Sequence, residues 1–139
     1  MTVGLTTKLK STFEEAVERT TRALADQGFG ILTKIDVKAT LNQKLGVDME
    51  DYLILGACNP TLAHRALDVD RQIGQLLPCN VVVRTDPDGQ GDTVLVEAMD
   101  PQLMVEITGQ AGALKAISDE ASAKLEAAIS AIGQTTRTE

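Results

Sequence analysis

Two short segments carry the residue types best suited to chemistry, Cys58-Asn59-Pro60 and Pro78-Cys79-Asn80, and His64 follows the first of them. Cys58 ends an apolar run and stands directly before Asn59-Pro60. Asn caps a free amide at a helix start, and Pro fits the first turn because its missing N–H costs nothing there. Helix N-termini carry free amides and a partial positive charge, which favour a thiolate over a thiol. Cys58 is therefore the candidate nucleophile and a candidate metal ligand. The same residue also suits a core position, since alternation sets it with Tyr52, Ile54 and Gly56, and a small buried hydrophobe is the commoner role for a free cysteine.

Cys79 opens a second strand and shares a face with Val81 and Val83. Its spacing from Cys58 is not that of a C-x-x-C motif, and spacing alone does not decide whether the two sulfurs meet. If they do, Cys58 and Cys79 with His64 make a soft site for copper(I) or zinc. Standing alone, His64 reads as a solvated helix residue. Asn59 and Asn80 could orient a small ligand together with Cys58 and Cys79. The helix cap accounts for Asn59 by itself, whereas Asn80, beside Val81 in a strand, is less well explained. Gly56 inside an apolar strand marks a bulge or a close approach by another group. Met99 and Met104 flank Asp100-Pro101 and offer thioethers, although Met more often fills a core. The acidic residues Glu14, Glu15 and Glu18, and the group Asp48, Glu50 and Asp51, read as solvated faces. No Ser nucleophile elbow, H-E-x-x-H, phosphate loop or EF-hand pattern is present, so the balance is against an enzyme.

The elements that must position these residues are legible from periodicity. Residues 2–9 alternate as a strand. Ser11 and Glu14 form a capping box for a helix over 12–27, with Phe13, Val17, Thr20 and Leu24 inward, and Gly28 stops it. Residues 29–38 alternate as a half-buried strand, with Phe29, Ile31, Thr33, Ile35 and Val37 on one face. A short helix covers 39–45 and ends at Gly46. Residues 51–58 form a strand apolar on both faces, so it is central or covered by another subunit. The helix from Asn59 carries a stripe of Leu62, Ala66, Val69, Ile73 and Leu76 up to Pro78. Strands over 79–85 and 93–99 flank the turn Asp86-Pro87-Asp88-Gly89. Residues 102–112 read as a loop because of Gly109 and Gly112, and a last helix covers 113–132. The order β-α-β-β-α-β-β-α predicts an α+β fold, a mostly antiparallel five-stranded sheet with helices on one face. It forms one domain over residues 1–132, with 133–139 as a disordered tail.

Composition narrows the function classes. The chain has 139 residues, 43% of them hydrophobic, enough for one self-sufficient core. Its net charge is −7 and its aromatic content 2%. Nucleic acid needs a basic footprint and stacking rings, and both are missing, so no nucleic-acid partner is expected. No run approaches the roughly 20 apolar residues that span a bilayer. Two cysteines give no disulfide framework, and a cytoplasmic setting without membrane association follows as the expectation.

Four segments in order carry a family resemblance: Lys34-Ile35-Asp36-Val37-Lys38, Ile54-Leu55-Gly56-Ala57-Cys58-Asn59-Pro60, Leu77-Pro78-Cys79-Asn80-Val81-Val82-Val83 and Ala98-Met99-Asp100-Pro101. Together they resemble the prokaryotic family of domain of unknown function 302, over about residues 2–132. The resemblance implies an α+β fold similar to half of the TATA-binding-protein saddle, and a homodimer. It implies no activity, so function has to come from the site. The leading expectation is a small homodimeric binding module. Its ligand, a small molecule or a soft metal such as copper or zinc, would sit around Cys58, Asn59, Cys79 and Asn80. Two alternatives stand beside it: a thiol redox or sulfur-transfer protein using Cys58, with Cys79 resolving, and an interaction protein with inert cysteines.

Overall fold

The computed structural model describes residues 4–89, 91–109 and 112–138, the last five through their backbone. The chain runs β1 (Gly4–Lys10), α1 (Phe13–Asp26), β2 (Gly30–Asp36), α2 (Val37–Leu45), β3 (Tyr52–Cys58), α3 (Pro60–Val69), a 3₁₀ turn (Arg71–Leu76), β4 (Cys79–Thr85), β5 (Thr93–Met99), α4 (Gln102–Thr108), α5 (Ala113–Ile132) and β6 (Gln134–Thr138). The strands form one antiparallel sheet in the order β2-β3-β4-β5-β1-β6. The α+β class and the five expected strands are present. A sixth, β6, runs along β1 within the segment expected as a tail.

Period-two alternation decides which side of each strand is buried. Leu5, Leu9, Leu55, Val81, Val83, Val94, Val96 and Ala98 form the inner face, against Leu24 of α1 and Leu125 and Ile129 of α5. A second, smaller core joins Leu62 and Ala66 of α3, Ile73, Met104 of α4, and Leu114, Ile117 and Ala121 of α5. The long helix α5 thus belongs to both cores. Among the described residues no helix is long and apolar enough to cross a membrane.

Several boundaries differ from the sequence expectation, each for a local reason. The cap of α1 is Thr12, which accepts the Glu15 amide at 3.1 Å. Ser11 is instead held at the strand end, where its amide reaches Asp92 O at 3.0 Å. Both S-x-x-E and T-x-x-E fit the sequence, and the strand's last hydrogen bond selects the second. Gly28 ends α1 at φ +86°, and the Phe29 amide closes onto Leu24 O at 2.9 Å, the reach-back of a Schellman ending. The stripe read as one helix up to Pro78 breaks at Asp70, which leaves the helical region and accepts the Gln72 amide at 2.9 Å, starting the 3₁₀ turn. Part of the segment expected as a loop is α4. Asp100 Oδ1 accepts the Gln102 amide at 2.9 Å, and Gly109 closes the helix at φ +71°.

The β4–β5 hairpin is organised by Asp86, which is nearly fully buried. Its Oδ1 accepts the Asp88 amide at 2.9 Å, and Lys8 Nζ lies 3.3 Å from Oδ2. The Asp88 amide first, and Lys8 after it, hold this carboxyl below the usual aspartate range. A depressed carboxyl stabilises the fold above its unfolded value, and that stability fades as pH falls through the folded value. Asp86→Asn should therefore lower the melting temperature at neutral pH, with the gap to the parent narrowing as pH falls below the ordinary aspartate value of about 3.9. Melts across that range check this, and a gap independent of pH would refute it.

Candidate functional site

The antiparallel register of β3 and β4 sets Ala57 opposite Cys79 and Gly56 opposite Asn80. Cys79 therefore starts β4 on the helix-covered face, at 7% exposure. Cys58, one residue beyond Ala57, is the last of β3 and half-buried. The chain leaves the sheet there and enters α3, and both cysteines line one cavity of about 30 Å³. Its walls come from both cores: Phe29 and Ala57 on the sheet side, Leu62, Met104 and Ile117 on the helical side. This is room for one or two water-sized groups, since one needs roughly 10–15 Å³. The lining is almost wholly apolar, and Asn59 is its polar member.

Asn59 is committed to structure. Its Oδ1 caps α3 by accepting the Leu62 amide at 3.2 Å, and its Nδ2 donates to Gln27 O at 3.4 Å. It ties the start of α3 to the end of α1, beside Gly28, where a side chain would crowd the Asn59 amide. Gly56 marks a close approach, as its position in an apolar strand suggested. A Cβ there would sit 2.8 Å from Pro78 Cγ and against Thr33 Oγ1. Pro78, joined to Leu77 by a cis peptide, lies over β3 through that gap.

Of the residues singled out from sequence, Cys58, Asn59 and Cys79 come together. Asn80 does not join them. It is exposed on the opposite face of the sheet, in a shallow hollow of about 220 Å³ with Thr6, Val82, Glu97 and Met99. His64 is exposed on α3, its Nε2 3.6 Å from Asp68 Oδ2. Among the described residues, no group of three or more His, Cys, Asp or Glu is placed to hold a metal. Met104, buried on α4, also lines the cavity. Sequence reasoning named its thioether with that of Met99 and favoured core filler for both as the commoner role, and Met104 does form part of the second core. The open sheet face also carries a pair that sequence reasoning did not single out. Arg84 Nε donates to Glu97 Oε1 at 2.6 Å and Nη2 to Oε2 at 3.4 Å. The two sit diagonally across β4 and β5, a relation visible only once the register is known.

Burial pushes the Cys79 thiol up to about 11, and the neighbouring Cys58 adds to the rise. Cys79 is therefore a neutral thiol at physiological pH unless something replaces its proton. Two outcomes are expected. In native protein at neutral pH, iodoacetamide should modify Cys58 and leave Cys79 intact until denaturant is added; mass spectrometry of the peptides reads this, and equal rates at both sites would contradict the geometry. Gly56→Ala should destabilise the fold by about 1–3 kcal/mol through overpacking against Pro78 and Thr33, measured by urea unfolding. A neutral result would mean that Pro78 moves aside freely.

Three comparisons bear on kinship. A search of curated proteins finds no match. A solved structure described as "Crystal structure of uncharacterized conserved protein DUF302 from Bacillus stearothermophilus" is similar, with 30% identity and a TM-score of 0.81 over 91% of this chain and 94% of that one. Residues 5–132 match the family described as "Domain of unknown function DUF302". With that match covering nearly all of the helix-backed sheet and both cysteines, the chain belongs to the DUF302 family.

Proposed function

We propose that this chain is a small homodimeric binding module that takes one soft monovalent metal ion, copper(I), between Cys58 and Cys79, with the Met104 thioether as a third donor. The observation that carries the reading is the meeting of Cys58, Cys79 and Met104 on one apolar cavity. Size favours an ion over a metabolite, because sites for small molecules run to several hundred Å³ and this cavity is about 30 Å³. The donor set favours copper(I) over zinc. Zinc asks for four ligands, commonly with imidazole or carboxylate among them, whereas thiolate and thioether sulfur suit copper(I). His64 takes no part in this reading, since it lies on the exposed side of α3 with Asp68.

Entry of the ion balances as one copper(I) in and two thiol protons out, leaving two copper–thiolate bonds and one bond to the neutral thioether. The start of α3, directly after Cys58, carries a partial positive charge that offsets the negative complex. The thiol-redox alternative is less well supported. A resolving cysteine attacks as thiolate, and Cys79 holds its proton up to about 11.

The test is an anaerobic titration of the reduced protein with copper(I) against a chromophoric chelator. One ion per chain is expected, with affinity rising as pH rises, because binding displaces protons. Cys58→Ser and Cys79→Ala should each weaken binding by roughly a hundredfold, and Met104→Leu by about tenfold. Unchanged binding in a chain lacking both cysteines would overturn the site, and absence of binding in the parent would leave the cysteines as core residues.

A further inference from the structure

One edge of the sheet is β2, and large apolar side chains lie exposed on it and just after it. Natural edges are usually short, charged or covered, because their free amides and carbonyls recruit other strands. Among the described residues five large hydrophobics are exposed, and four of them lie on β2 or in the α2 connection after it: Leu32 at 65%, Ile35 at 49%, Leu45 at 70% and Val47 at 43%. On the open sheet face Val82 lies opposite Ile54, and Ile54 opposite Ile35. That apolar row ends abruptly at the edge.

We infer that β2 pairs antiparallel with β2 of a second copy, centred on Ile35, so that one sheet runs through both protomers. The inference rests on the homodimer part of the proposed function and names its surface. A two-fold axis through the sheet sets residues of like parity opposite one another. Centring on Lys34 would face lysine with lysine, and centring on Asp36 would face aspartate with aspartate. Centring on Ile35 sets Lys34 of each chain opposite Asp36 of the other, twice, so charge selects one register. It also extends the row to Val82-Ile54-Ile35 meeting the same three residues of the second copy. Within one chain Lys34 makes no ion pair among the described residues, and Asp36 spends one carboxylate oxygen on the Ala39 amide at 2.9 Å. After the bulge between Ile31 and Thr33 the regular strand runs from Thr33 to Asp36, so the register centred on Ile35 pairs Lys34, Ile35 and Asp36 of each chain.

The experiment is a charge exchange read by sedimentation equilibrium. Lys34→Glu sets acid opposite acid across the axis, and Asp36→Lys sets base opposite base. Each should raise the dimer dissociation constant about tenfold or more, and an equimolar mixture of the two variants should recover dimer, because the mixed pair is complementary. Recovery on mixing also separates an interface effect from loss of the α2 cap in Asp36→Lys, which mixing would not repair. Dimers of unchanged strength in both variants, or no recovery on mixing, would overturn the β2 surface while leaving the homodimer reading in place. A parent that stays monomeric to about 100 μM, weaker than any stable dimer, would overturn both.

Discussion

The register between β3 and β4 is the constraint on which the rest of the site depends. Strand side chains alternate with a period of two, so a slip by one residue would turn Cys79 to the open face and Val81 and Val83 into water. The core forbids that slip, since Leu55, Val81 and Val83 are fully buried. Cys58 and Cys79 thus line one cavity because of aliphatic packing several residues away, and that cavity is framed by regular elements on most sides. Gly56 is the necessary concession: without a side chain it lets Pro78 lie across β3 and deliver Cys79 to the start of its strand.

A cavity at a seam between two cores has a particular electrostatic character. Neither core supplies a charge, and the one amide at the wall is held by the α3 cap and by Gln27 O. A lone thiolate in such surroundings is expensive, which is why the Cys79 proton is held so tightly. In the copper(I) reading proposed above, the same poverty of charge would make the site selective. A hard, strongly hydrated cation would lose its water for sulfur ligands it does not favour, while a soft ion exchanges weak hydration for strong thiolate bonds. On that reading, protonation in the empty state and affinity for a soft ion in the filled state would be two consequences of one apolar lining.

Much of this was legible in the residues. The cap at Asn59, the stops at Gly28 and Gly46, the Asp86 turn and the tight spot at Gly56 all rest on local chemistry that the sequence displays. The meeting of Cys58 and Cys79 was not legible, because it depends on a pairing between strands separated by a helix and a 3₁₀ turn. The helix that carries Met104 was obscured for a different reason. Two glycines close to one another suggested a loop, whereas Gly109 closes a helix of only seven residues. The contrast between Asn59 and Asn80 follows the same line. One is explained by a local cap, and the other needed the register to show that it faces away from the cysteines.

The behaviour of β2 shows how one inserted residue can decouple composition from burial. Strict alternation predicts Phe29, Ile31, Thr33 and Ile35 on one buried face. The bulge at Leu32 consumes a residue, so Ile31 stays opposite Ala57 on the helix side while Ile35 comes opposite Ile54 on the open side. A strand whose apolar residues change sides cannot be covered by a single layer of helices, because α1 and α5 shelter only one face. Its β-branched composition still favours pairing, and its outer edge still offers amides and carbonyls. What the bulge takes from the protomer's own core it leaves at the sheet's boundary, beside an ion pattern that is complementary to itself.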